Sequence, residues 1–249
     1  MLSEGSLVRA LERVGLQAPV RYDEVTGSTQ ATALELASAG TPEWTLVAAG
    51  HQTEGRGRLG RTWSDEPGRS LMFSVVLRPK LDPDAGGLLT LLAGSALARA
   101  CREVAGHDAS CKWPNDVLVD DRKAAGILAN SRVADGRFEH VVIGIGANLR
   151  EPPPEVPGAG AVRAEGAELL EAFLTAFVGG YRPADPAFAA EVVSVYRGAC
   201  ATLGTRVRAT SDRGTVEGDA VDLDERGGLV VRTDSGDETV RFGEVERLE

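Results

Sequence analysis

Three arginines fall within the segment Gly55-Arg56-Gly57-Arg58-Leu59-Gly60-Arg61, where the glycines leave backbone N–H groups free to approach a ligand. Guanidinium forks match phosphate and carboxylate oxygens bidentately, and such charge-assisted bonds are about twice as strong as neutral ones. The chemistry expected here is capture of a phosphate ester, a carboxylate or both. The segment also satisfies G-x-G-x-x-G, but Arg61-Thr62-Trp63-Ser64-Asp65-Glu66-Pro67 follows where a dinucleotide fold needs a helix start. Trp63 is placed either to stack on a base or to pack.

A second group is Lys112-Trp113-Pro114-Asn115-Asp116, with Lys123 seven residues beyond Asp116. Pro114 interrupts a strand and is expected to aim Asn115 and Asp116 away from regular pairing. A lysine, an amide and a carboxylate near one spot suit phosphate neutralisation, hydrogen bonds to a nucleotide, and Mg²⁺ held by one carboxylate with substrate phosphates. Other chemistries lack their motifs. There is no P-loop and no G-x-S-x-G elbow, and His51, His107 and His140 sit in no triad-like context. Cys101, Cys111 and Cys200 are odd in number and form no C-x-x-C, so they read as buried reduced thiols of a cytoplasmic protein.

These residues need elements to hold them. Val20 to Val25 reads as a strand, and Thr26-Gly27-Ser28-Thr29 as a turn and N-cap for a helix that stops at Gly40. The arginine segment lies in a polar loop between a β-prone run at 44–49 and a strand at 70–79. Residues 84–105 form the longest apolar helix, with small residues suited to packing under a sheet. A strand broken at Trp113-Pro114-Asn115-Asp116 turns over Asp120-Asp121-Arg122 into a returning strand, and His140 to Leu149 follows as another. Residues 151–166, with prolines at 152, 153, 154 and 157, read as a loop before two helices at about 167–179 and 186–199. Hairpins beside helices point to an α+β fold with a mixed or antiparallel sheet. From Leu203 short alternating strands suggest a small β-barrel, giving domains at 1–202 and 203–249.

Charge sharpens the placement of the site. The chain of 249 residues carries 27 Lys and Arg against 37 Asp and Glu, a net charge of −10, so its surface as a whole repels polyanions. Any anion site must be local. Residues 204–249 hold 12 acids and seven arginines, half of that net charge, which argues against nucleic acid on the barrel. No apolar run of 18 residues is present and the N-terminus resembles no secretory signal, so neither membrane nor export is expected.

Taken together, Gly27-Ser28-Thr29-Gln30, the run from His51 to Trp63, 70–79, Lys112 to Val119, Arg122 to Leu128 and Gly144 to Leu149 resemble the biotin protein ligase family, in family order. The resemblance implies a catalytic domain like that of class II aminoacyl-tRNA synthetases with an SH3-like C-terminal domain. It also implies a two-step reaction: biotin and MgATP form biotinyl-5′-AMP and pyrophosphate, then a lysine of a biotin carboxyl carrier domain takes the biotinyl group. By motif position, Ser28, Thr29, Gln30, Gln52, Gly55, Arg56, Gly57, Arg58, Lys123 and Gly126 would bind biotin. Arg56, Arg58, Arg61, Trp63, Lys112, Asn115, Asp116 and Asn148 would bind ATP, with Asp116 toward Mg²⁺, and Arg58, Lys112 and Lys123 would act on the reacting groups. Gln30 stands where the family usually has Asn, and Glu54 where Ala is common, beside Arg56 or Arg58 that it could order. The short stretch before Val20 implies a monofunctional ligase that binds no DNA, as a monomer or weak homodimer. Alternatives are lipoate or octanoate transfer on the same scaffold, or a non-catalytic biotin or nucleotide sensor.

Overall fold

The computed structural model describes residues 2–151 and 158–248; the four prolines of the expected loop lie outside the described residues. Its elements are α1 (Glu4–Arg13), β1 (Val20–Asp23), α2 (Thr29–Ser38), β2 (Leu46–Ala49), β3 (Ser70–Leu77), α3 (Gly87–Ala105), β4 (Ala109–Lys112), β5 (Asp116–Val119), β6 (Arg122–Ala134), β7 (Arg137–Asn148), α4 (Gly166–Gly180), α5 (Phe188–Ala199), β8 (Arg206–Ser211), β9 (Gly214–Leu223), β10 (Leu229–Thr233), β11 (Gly236–Val240) and β12 (Glu244–Arg247).

The first seven strands form one sheet in the order β1-β2-β3-β7-β6-β5-β4. β1 and β2 are parallel and every other pair is antiparallel, the mixed sheet that hairpins beside helices predict. The strand period of two sorts β7 into faces. Val141, Ile143, Ile145 and Ala147 join the main core, to which α3, α4 and α5 also contribute. Val142 faces the other way, into a small cluster with Ala33 and Ala37 of α2. Each fully buried Ile or Leu of the main core contributes roughly 1.5–3 kcal/mol relative to exposure. α3 begins at Gly87 rather than at 84, because Pro83–Ala85 forms a separate 3₁₀ turn capped by the Asp82 side chain. It ends at Gly106, whose φ of 67° is the left-handed conformation that glycine adopts without a Cβ penalty. Gly94 inside it lets the Tyr196 ring of α5 approach, where a Cβ would stand 3.3 Å from Cε2.

α2 packs on β2, β3 and β7. Toward β6 and β5 the same face of the sheet is left open, and the cleft described below lies there. Strands β8–β12 form a second, antiparallel sheet in the order β11-β10-β9-β8-β12. Its end strands are not paired with each other among the described residues, so the sheet does not close as the expected barrel. Those strands are five and four residues long and carry charged side chains, which suits exposed edges. Its inner face, with Val207, Ala209, Ala220 and Val231, continues the main core. All three cysteines are buried free thiols, and burial pushes that of Cys101 up to about 12. No described helix is long and apolar enough to cross a membrane.

Candidate functional site

The open part of the sheet is the floor of a cleft of about 400 Å³. Glycines make that floor flat. A Cβ on Gly146 of β7 would stand 2.6 Å from Cε2 of the Trp63 indole, and one on Gly126 of β6 3.3 Å from Cζ3. The two glycines therefore let the ring lie directly on the backbone of neighbouring strands. Trp63 packs against this floor, and its Nε1 is buried with no protein partner.

One end of the cleft is polar, uncharged and buried. Ser28, Thr29 and Gln30, at the start of α2, are 3%, 3% and 4% exposed. Ser28 occupies the N-cap position but its side chain makes no capping bond. Its hydroxyl is instead buried and unpartnered. Buried polar atoms are nearly always paired, so Ser28 Oγ and Trp63 Nε1 mark places where a ligand would supply the partner. The Thr29 N–H donates to Gln52 Oε1 at 2.7 Å, and Thr29 Oγ1 lies 3.0 Å from Ser74 Oγ.

The other end is cationic. The arginine segment folds back on itself: the Gly57 N–H donates to Arg61 O at 2.7 Å and the Trp63 N–H to Gly55 O at 2.9 Å. A Cβ on Gly55 would collide with the Trp63 carbonyl, which explains this glycine without placing it on the cleft wall. Arg58 donates to Asn115 Oδ1 at 2.7 Å and to the Gly243 carbonyl at 3.0 Å. Burial pulls its guanidinium below the ordinary arginine value, against the opposing pull of Asp116 and Glu244. Arg61 pairs with Glu244. Glu54 forms no ion pair with Arg56 or Arg58 among the described residues; Glu244 is the carboxylate that reaches this loop. Lys123 Nζ lies 2.8 Å from Asp116 Oδ1.

The turn at 113–115 leaves Asn115 outside the strands, as expected of Pro114, but for Asp116 the structure corrects the expectation. Asp116 stays in register, paired with Lys112 and with Gly126. Asn115 accepts the Ile127 N–H at 2.9 Å and returns its Nδ2 to the Ile127 carbonyl at 3.0 Å. A side-chain amide can imitate a peptide group, so Asn115 extends the ladder of β6 while its Oδ1 holds Arg58.

Of the residues singled out in the sequence, Ser28, Thr29, Gln30, Gln52, Arg56, Gly57, Arg58, Arg61, Trp63, Lys112, Asn115, Asp116, Lys123 and Gly126 line the cleft. Gly55 and Asn148 do not; Asn148 is buried, and its Nδ2 donates to the Gly160 carbonyl at 3.0 Å. Sequence reasoning missed Ser74 on the floor and a whole wall from the second sheet, which includes Arg208, Thr210, Glu244 and Glu246. Trp113 locks that wall in place, donating Nε1 to Gly227 O at 2.9 Å and accepting nothing in return. Its backbone N–H is held by Thr202 Oγ1 at 3.0 Å.

A glycine-floored cleft with a neutral hydrogen-bonding end and a cationic end suits an elongated ligand that is polar and uncharged at one end and anionic at the other. Residues 22–148 match the biotin/lipoate A/B protein ligase family and residues 202–248 match the biotin protein ligase C-terminal domain. The chain belongs to that ligase family. It is 32% identical over 258 residues to the bifunctional ligase/repressor BirA of Bacillus subtilis, covering 97% of this chain and 79% of that protein. It is 36% identical over 239 residues to the biotin–[acetyl-CoA-carboxylase] ligase of Mycobacterium tuberculosis, covering 90% and 86%. Among solved structures, the biotin protein ligase from Aquifex aeolicus in complex with biotin and ATP is similar with a TM-score of 0.76 and 27% identity, over 92% of this chain and 98% of that one.

Proposed function

We infer that the protein is an ATP-dependent ligase that converts biotin to biotinyl-5′-AMP and transfers the biotinyl group to a lysine of a biotin carboxyl carrier protein. The observation that carries this reading is the polarity of the cleft, neutral at Ser28, Thr29 and Gln52, cationic at Arg56, Arg58 and Lys123. A cyclic urea needs buried donors and acceptors that an apolar or dithiolane ring would leave unpaired, at a cost of about 1–3 kcal/mol for each group. The match of residues 202–248 to the biotin ligase C-terminal domain favours biotin over lipoate in the same way.

In this reading a biotin carboxylate oxygen attacks the α-phosphorus of ATP and pyrophosphate leaves. Arg56, Gly57 and Arg58 hold the carboxylate and the α-phosphate. Lys123, 2.8 Å from Asp116, turns to the charge that develops at the reacting carboxyl, and Lys112 serves the phosphates. Trp63 covers the bound acid, while Asn115 acts through Arg58 and Asn148 stands behind the nucleotide end. The cleft lines up Asp116, Glu244 and Glu246 as its carboxylates. No group of three metal-ligating side chains occurs among the described residues. That donor set fits Mg²⁺ carried in by the triphosphate and touched by one carboxylate, Asp116, for which the metal would neutralise phosphate charge. The carrier lysine then attacks the acyl carbon of the mixed anhydride and AMP leaves. No enzyme nucleophile is required, so positioning and electrostatics carry the rate. The division of labour proposed is a catalytic domain at 1–202 and a C-terminal domain at 203–249 that walls the site.

Biotin-dependent exchange of labelled pyrophosphate into ATP tests the first step. Transfer of biotin to a carboxyl carrier domain, with ATP and Mg²⁺ omitted in turn, tests the second. Exchange supported by lipoate or octanoate but not by biotin overturns the reading, as does biotin binding without exchange.

A further inference from the structure

The arginine loop is fastened at its neck by two residues that do not line the cleft. His51 stands where the loop begins and Asp65 where it ends, and His51 Nδ1 lies 3.0 Å from Asp65 Oδ2. Every cleft residue of the loop, from Gln52 to Trp63, falls between them. The Asp65 side chain is 0% exposed, and its Oδ1 is buried with no protein partner. An ionised carboxylate only accepts hydrogen bonds, so the imidazole donates through Nδ1–H. A buried carboxylate with one partner depends on that partner, because its loss leaves an uncompensated charge away from water.

The two legs of the loop are held unequally. The incoming leg lies along the turn before α2: the Thr26 N–H donates to His51 O at 3.0 Å, the Thr53 N–H to Thr26 O at 2.9 Å and the Glu54 N–H to Gly27 O at 2.8 Å. The outgoing leg has no such support. Among the described residues, neither the N–H nor the carbonyl of Ser64 or Asp65 makes a backbone hydrogen bond. The bond between His51 and Asp65 is therefore what joins the two legs below Trp63. Above it the loop carries three glycines and holds Leu59 at a φ of 54°, so its backbone has little preference of its own for the folded form.

We propose that His51 and Asp65 are positioning residues whose hydrogen bond latches the neck of the loop, so that Arg56 and Arg58 stay over a bound acyl adenylate until an acceptor lysine reaches it. The identity of that ligand rests on the biotin reading, whereas the latch rests on the geometry of the loop. Neither residue touches the substrate. Opening the loop has to move the outgoing leg away from the incoming one, and the bond that resists this movement lies at the hinge, away from the reacting atoms.

Three variants test the latch. Asp65→Ala removes the acceptor and His51→Ala the donor, while Asp65→Asn keeps an oxygen that can accept from Nδ1–H. Trypsin cuts after arginine, so mass spectrometry of the digested free protein reads opening at Arg56, Arg58 and Arg61. Cleavage there should rise by about tenfold in both alanine variants and by less than about threefold in Asp65→Asn, with cuts elsewhere in the chain unchanged. With biotin and ATP present, the adenylate should leave the alanine variants about tenfold faster, and acylation of bystander lysines should rise in step. Thermal melts report folding, and if one alanine variant does not fold the other decides. Parental cleavage in the folded alanine variants overturns the proposal, as does faster cleavage spread over the whole chain, failure of Asp65→Asn to restore protection, or adenylate retention equal to the parent's. If the parent forms no adenylate from biotin, the biotin reading fails instead, and the trypsin comparison still decides the latch.

Discussion

The two ends of the cleft recognise their targets by opposite means. The polar end is built on regular elements: Ser28 to Gln30 begin α2, Ser74 is inside β3, and each is buried. The cationic end is carried by a loop whose Leu59 takes a φ of 54° and is 71% exposed. It is tied down from outside, by Asn115 and by the Gly243 carbonyl and Glu244 of the second sheet. A neutral ring must be distinguished by hydrogen-bond geometry, which requires a rigid, dry frame. A phosphate or carboxylate is drawn by charge, which tolerates exposure and movement. The same loop must also let a nucleotide in and an acyl adenylate out toward another protein, which a rigid frame would obstruct.

Substitutions at the two ends should separate along this line. The largest effect is expected at Lys123. Lys123→Ala should lower the rate of biotin-dependent adenylation by about 10²–10³ while leaving the melting temperature nearly unchanged, since the side chain is 43% exposed. An unchanged rate in single-turnover measurements would remove it from the reacting centre. Next is the floor that both ends share. Gly146→Val drives a methyl-bearing side chain into the Trp63 indole, an overpacking cost of about 1–3 kcal/mol, or about 5- to 150-fold in biotin KM. If biotin KM is insensitive, the indole is not held against the ligand.

Arg58→Gly removes two charged-donor bonds at the loop and should weaken retention of the adenylate by about tenfold. The escaped anhydride would then acylate lysines other than the carrier's; selectivity equal to the parent's would break the comparison at its cationic end. The smallest change is expected at Glu244→Gln. Its pair with Arg61 is exposed on both sides, worth at most about 1 kcal/mol, so ATP KM should shift by less than about fivefold. Added salt should likewise raise ATP KM and leave biotin KM unmoved, because screening reaches the exposed loop and not the buried amides.

Much of this was readable in the chain itself. Local patterns located the helices, the strands on either side of the arginine loop and the change of texture at Leu203, because side-chain periodicity and turn residues act over a few positions. The arginines, lysines and Trp63 were legible because their types are scarce or clustered; two of three lysines in the whole chain, Lys112 and Lys123, line the cleft. Ser74 was invisible for the opposite reason. A serine within an apolar strand carries no local signal, and its meaning comes from Thr29 and Gln30, some 45 residues away in sequence. Asp116 was misjudged because a proline's local effect was read without the strand that arrives at Gly126.

By itself, then, the sequence determined the composition of the site: which charges were available, which glycines allowed close approach, and that any anion site had to be local in a chain of net charge −10. Tertiary structure decided the rest. It brought a wall from an acidic second sheet to the arginine loop and closed that wall with the bond from Trp113 Nε1 to Gly227 O. Both depend on contacts between distant segments, and a hydrogen bond forms only when donor and acceptor are both in place.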